Sequence, residues 1–204
     1  MARKCSSRTA FRGMTSSSLP RYRTVLVITC LLLSIVSAVD WGCNRTSGEY
    51  TQLTDCTAFT EVKVSGDLNV TGNVQGYTKL VAAPGQRHFE VDEAATLTLK
   101  WLNMSGGTPG SGTGGSISVP GQNGITLIIH NCIFHKNKAQ DSGGAIHAKG
   151  NPNYDSGSLI LVNTIFLQNE AKGGGTPKGG GIYAMYFSVN LAGVQFIKNH
   201  ADEQ

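Results

Sequence analysis

The chain has 204 residues, 15% of them charged and 40% hydrophobic, with 26 glycines and a formal net charge of +4. The positive balance is local: beyond residue 38 there are 11 Lys and Arg against 13 Asp and Glu, a net charge of −2. Nucleic-acid binding therefore lacks electrostatic support, and the glycine content works against long helices.

Residues 1–38 read as a secretory signal peptide. Arg3, Lys4, Arg8, Arg12, Arg21 and Arg23 precede an apolar run from Val25 to Val39. Val36, Ser37 and Ala38 place small or aliphatic residues where a signal peptidase reads, so cleavage is expected after Ala38. The run is 15 residues long, short for a membrane span of about 20. An uncleaved signal-anchor is the alternative. Either form sends the chain into the secretory pathway, to a secreted or cell-surface location.

Residues 39–60 read as an N-terminal cap or linker. Cys43 and Cys56 flank a polar stretch there and form the candidate disulfide of an oxidising compartment. Three sequons, Asn44-Arg45-Thr46, Asn69-Val70-Thr71 and Asn103-Met104-Ser105, make Asn44, Asn69 and Asn103 the candidate N-glycosylation sites. Each triplet alone is a weak signal, since Asn- and Thr-rich sequence produces such triplets by chance. Their position between the leader and the clearest repeats suggests a glycosylated exterior. No Cys-x-x-Cys or His-rich spacing points to zinc, and no metal or other cofactor is expected.

From residue 61 to 204 the pattern is strand-like and repetitive. Glu61 to Val70 and His88 to Val91 read as short, irregular strands. Leu97 to Met104 alternates apolar and polar residues. So do Leu127 to Phe134, Leu159 to Phe166 and Val189 to Phe196, as expected for strands rather than helices. The last three close on Phe134-His135-Lys136-Asn137, Phe166-Leu167-Gln168-Asn169 and Phe196-Ile197-Lys198-Asn199. The Phe-to-Phe steps of 32 and 30 residues belong to stacked-coil solenoids, in which no coil buries its apolar face alone. Each strand is then expected to pair in parallel with its equivalent, about 4.8 Å away along the axis. Phe134, Phe166 and Phe196 should stack in the interior, each contributing roughly 1.5–3 kcal/mol by burial. Asn137, Asn169 and Asn199 should form an amide ladder at a turn, since Asn tolerates left-handed geometry and bonds to its own kind. Asn131 and Asn163 suggest a second ladder, broken by Gly193 and Trp101. Cys132 aligns with Thr164 and Val194, which marks it as a buried free thiol.

Phe-x-x-Asn followed by Gly143-Gly144-Ala145-Ile146, and again by Gly179-Gly180-Gly181-Ile182, resembles the repeat of the polymorphic outer-membrane protein and adhesin-like family. More broadly the pattern is similar to right-handed parallel β-helix proteins of the pectin-lyase-like superfamily. The match is loose over residues 61–204 and good over 97–204. The resemblance implies an all-β, right-handed parallel β-helix. The extra glycines at 106–115 and 173–178 belong on its outward loops. The chain stops after Gln204, where a further Gly-Gly is due, so it is expected to be the N-terminal portion of a longer protein.

That superfamily includes polysaccharide lyases and hydrolases, which need clustered carboxylates for calcium, a base, or a spaced carboxylate pair. Before the terminal Asp202 and Glu203, only Glu90, Asp92 and Glu93 cluster, at a strand edge better read as a solvated turn. His130 aligns with Lys100, Val162 and Ala192, and His135 with Leu167 and Ile197, which favours surface positions of a repeat over catalytic bases. His147 follows the Gly-Gly-x-Ile motif and is placed on a sheet face. No catalytic or metal residue is assigned. The expectation is an adhesion or interaction module whose partner is a carbohydrate or a cell-surface protein, with membrane attachment only through the leader or a missing C-terminal anchor. The alternatives are the N-terminal part of a lyase or hydrolase whose active coils lie elsewhere, and a structural wall or matrix component.

Overall fold

The computed structural model describes residues 42–153, 157–173 and 176–203. The expected signal peptide lies outside these residues.

Among the described residues the chain is all-β, with no helix. The first strands are β1 (Gly48–Thr51), β2 (Cys56–Phe59), β3 (Val62–Val64), β4 (Leu68–Thr71) and β5 (Thr78–Ala82). They are followed by β6 (Phe89–Val91), β7 (Thr96–Lys100), β8 (Leu102–Ser105), β9 (Ile117–Gln122) and β10 (Ile125–His130). Next come β11 (Ile133–His135), β12 (Lys138–Ala139), β13 (Ile146–Gly150), β14 (Gly157–Val162) and β15 (Ile165–Leu167). The last are β16 (Glu170–Gly173), β17 (Ile182–Met185), β18 (Ser188–Ala192), β19 (Gln195–Ile197) and β20 (His200–Glu203).

Consecutive strands go to different sheets, and each sheet collects one strand per turn of the chain. The first sheet runs β1-β4-β7-β10-β14-β18 and the second β2-β5-β8-β11-β15-β19. The third runs β3-β6-β9-β13-β17 and the fourth β12-β16-β20. The pairings are parallel throughout. This is a parallel β-solenoid.

Within the interval read as a cap or linker, residues 48–59 supply β1 and β2, which pair with β4 and β5. One expectation about the early strands changes. Glu61 to Val70 is not one irregular strand. It is β3 in the third sheet and β4 in the first, parted at residues 65–67, where Gly66 and Asp67 interrupt the alternation.

The register stacks like on like. Leu97, Leu127, Leu159 and Val189 share one column, and Leu99, Ile129, Leu161 and Leu191 another. Met104, Phe134, Phe166 and Phe196 form a third. The Phe134 and Phe166 rings lie 4.8 Å apart at 2°, and Phe166 and Phe196 5.1 Å apart at 15°. Side chains in these columns are fully buried up to β14 and β15, whereas Val189, Leu191 and Phe196 are about half exposed. β18 and β19 are edge strands within the described residues and have a neighbouring rung on one side only.

The corner between the first and second sheets needs left-handed backbone. Trp101, Asn131, Asn163 and Gly193 all adopt it, with φ of 58°, 52°, 48° and 62°. The expected second Asn ladder is therefore a column of left-handed residues, and Asn is one of several types placed there. Successive rungs are joined through the backbone, Asn131 N–H donating to Val162 and Asn163 N–H to Ala192. Trp101 and Gly193 thus continue the column rather than break it.

Candidate ligand-binding surface

The corner after Phe-x-x-Asn is built from two adjacent columns. Left-handed geometry falls one residue before each Asn, on Lys136, Gln168 and Lys198, with φ of 53°, 54° and 52°. Gly106 fills that column on the preceding rung, with φ 74°. This turn directs the following Asn inward. Asn137 and Asn169 are fully buried, and Asn199 is half-buried on the edge rung.

Asn137 Nδ2 donates to Asn169 Oδ1 at 3.0 Å, and Asn169 Nδ2 to Asn199 Oδ1 at 2.9 Å. The second hydrogen of each amide reaches the carbonyl of the preceding rung: Asn137 to Met104, Asn169 to Phe134 and Asn199 to Phe166. Asn169 Oδ1 also accepts the Asn137 backbone N–H, and Asn199 Oδ1 that of Asn169. Both donors and both acceptor sites of Asn169 are thereby used, which is the full capacity of an amide. The Asn column holds the turn, and the amides of Asn137 and Asn169 are buried out of a ligand's reach.

The same corner presents charge outward. Lys136, Gln168 and Lys198 are exposed on the left-handed column, and Lys138, Glu170 and His200 follow on the next. These six residues line a shallow hollow of about 390 Å³. A second hollow of about 330 Å³ shares Lys138 and Glu170 and extends to Lys172, Gln140 and the loop at Thr108, Pro109 and Gly110. Together they make one trough across successive rungs. Lys138 Nζ lies 2.7 Å from the Glu170 carboxylate and Lys172 Nζ 4.0 Å from it. The hydrogen bond from Lys138 holds the Glu170 pKa below the usual carboxylate value. Among the described residues, Lys136 and Lys198 have no carboxylate within ion-pair distance. The sequence named Lys136 and Lys198 only as variable residues before Asn; their convergence is a product of the register.

The Gly-Gly motif closes the far side of each turn. Gly143 and Gly179 have φ of 68° and 66°. A Cβ on Gly144 would run into the carbonyl oxygen of Gly180 and, at 2.7 Å, into the Glu170 backbone. The motif is therefore a steric requirement of stacked rungs.

The histidines divide. His130 and His135 are half-buried on outward faces, and His135 Nε2 lies 3.3 Å from Gln168 Oε1. His147 pairs in register with Ser118 and Tyr183 on the third sheet. It is 5% exposed and stacks on Tyr183 at 5.3 Å. Burial pushes its pKa down to about 4.

His88, which the sequence did not single out, is completely buried. Its Nε2 lies 2.9 Å from the Leu80 carbonyl and its Nδ1 3.0 Å from Ser116 Oγ. A carbonyl only accepts, so Nε2 carries the proton and Nδ1 accepts from the serine hydroxyl. Burial holds its pKa at about 4. No periodic signal marks it, because its partners come from other strands and loops.

Cys43 and Cys56 are disulfide-bonded, with Cα atoms 6.4 Å apart. Cys132 is free and buried, its thiol pKa pushed up to about 12 by burial. Asn44 is exposed in the segment before β1. Asn69 and Asn103 are half-buried in the sheets, on β4 beside Glu49 and on β8 between Lys79 and Ile133. Among the described residues, no group of three His, Cys, Asp or Glu is placed to hold a metal ion.

Comparison with known proteins adds one short match. Residues 131–149 are similar to the Chlamydia polymorphic membrane protein repeat. That stretch runs from the left-handed Asn131 through β11, the ladder Asn137 and the Gly143-Gly144 contact into β13. Neither the curated proteins nor the solved structures contain a match to the chain.

Proposed function

We propose that the chain is a surface-displayed adhesion or interaction module that uses its outward solenoid surface. One observation carries this reading. Every signature residue in the stretch resembling the Chlamydia polymorphic membrane protein repeat serves the scaffold: Asn131 the corner, Phe134 the core stack, Asn137 the ladder, Gly144 the close contact. Recognition then falls to the positions the repeat leaves free, chiefly the outward residues that vary from rung to rung. The membrane association in that repeat's name supports display at a cell surface, and the partner is a carbohydrate or a surface protein. The disulfide supports an oxidising compartment.

The test is attachment. Beads coated with the purified chain are expected to bind cells saturably, and free chain should compete them off. The same preparation should release no unsaturated product from uronate polymers. Calcium-dependent product formation without cell attachment would move the chain to the lyases.

A further inference from the structure

We propose that the lysine trough at the corner between the second and fourth sheets binds an extended polysaccharide bearing an anionic group on every second sugar. This rests on the adhesion reading and names the ligand class for one part of the outward surface.

The body carrying the trough is mildly acidic, yet four of its 11 cationic side chains converge here: Lys136, Lys138, Lys172 and Lys198. Left-handed backbone at residues 136, 168 and 198 turns Lys136, Gln168 and Lys198 outward on consecutive rungs, while Lys138 and Lys172 stand exposed on β12 and β16. Along that column the order is lysine, glutamine, lysine, so positive charges recur every two rungs, roughly 10 Å apart. A sugar unit is close in length to one rung. A chain with alternating charged and neutral sugars therefore sets its anionic groups against Lys136 and Lys198 and its neutral hydroxyls against Gln168.

Glu170 sits at the centre of the trough, where it accepts from Lys138 and can also accept from a sugar hydroxyl. Asp202 lies beside Lys172 in register. The carboxylates penalise a polymer charged at every unit, such as a nucleic acid or a homopolyuronate. The side chains lining the trough include no Phe, Tyr or Trp, and the single imidazole of His200 offers no run of rings on which successive bases could stack. Lysines rather than arginines supply the charge, which suits point contacts to spaced carboxylates or sulfates.

The test uses the purified full chain on immobilised hyaluronan, whose carboxylates fall on every second sugar. Polygalacturonate, single-stranded DNA and dextran serve as competitors. Binding is expected to weaken with salt. The double variant Lys136→Gln/Lys198→Gln should weaken it roughly tenfold, as expected for two exposed charge contacts. Lys79→Gln and Lys149→Gln, away from the trough, should leave it unchanged. All variants are exposed positions, and their β-sheet circular dichroism should match the parent chain.

Failure to bind hyaluronan at low salt would overturn the proposal, as would equal loss in the control variants. Tighter competition by polygalacturonate or DNA would overturn the alternating-charge assignment. Cell attachment that survives the double variant would sink the trough and leave adhesion standing. Hyaluronan binding without cell attachment would do the reverse.

Discussion

Asn169 shows how much one side chain holds. Its amide satisfies the Phe134 carbonyl, the Asn137 backbone N–H and the amides on both sides. Asn169→Ala orphans several buried groups at once, each costing roughly 1–3 kcal/mol. A loss of about 3 kcal/mol or more in urea unfolding is expected, and a loss below about 1 kcal/mol would show the ladder to be dispensable. His88 and His147 give a pH dependence with a definite sign. The unfolded chain takes up protons near pH 6.5, whereas the folded histidines resist protonation until about pH 4. The unfolded state therefore binds more protons in that window, and stability falls as pH drops through it. His88 alone accounts for a change on the order of 3 kcal/mol across the window. Urea midpoints measured at several pH values should show the fall, and His88→Leu should make it smaller, leaving the share due to His147.

At the level of elements, the core is a set of columns whose value depends on having neighbours on both sides. Phe134 is fully buried between Met104 and Phe166, and Phe134→Ala is expected to cost about 3–5 kcal/mol. Phe196, half exposed on β19, should cost clearly less. Equal losses by thermal melting would contradict the stacking order. The Gly-Gly turns are a second element-level constraint. Gly144→Ala adds a Cβ against backbone from the next rung, where no side chain can move aside. A loss of about 2 kcal/mol is expected there, while Gly110→Ala, which meets open space, should be neutral.

For the molecule as a whole, stability is a sum over rungs and the interfaces between them. Amide exchange should therefore be slowest in β10, β11, β14 and β15, inside their sheets, and faster in the edge strands β18 and β19. Uniform protection across all rungs would mean that the solenoid opens only as one unit. The segment from 42 to 60 belongs to this array through β1 and β2, tied by the Cys43–Cys56 bond. Its alternation is too short and its residues too polar to read as rungs without the later coils to align them.

The repeat in the sequence by itself determined the parallel solenoid and its aromatic and amide columns. Residues that recur at one position of every coil must become neighbours when coils stack, so periodicity encodes those contacts directly. It misplaced what depends on backbone geometry. The left-handed residue is Lys136, Gln168 or Lys198 rather than the Asn that follows, because the turn aims that Asn inward. Asn131 and Asn163 hold a corner rather than an amide stack for the same reason. Only the tertiary structure decided the lysine trough and the burial of His88. Both depend on side chains from non-repeating positions and on which loop lies over which rung. A periodic pattern carries no information about those juxtapositions until the register is set.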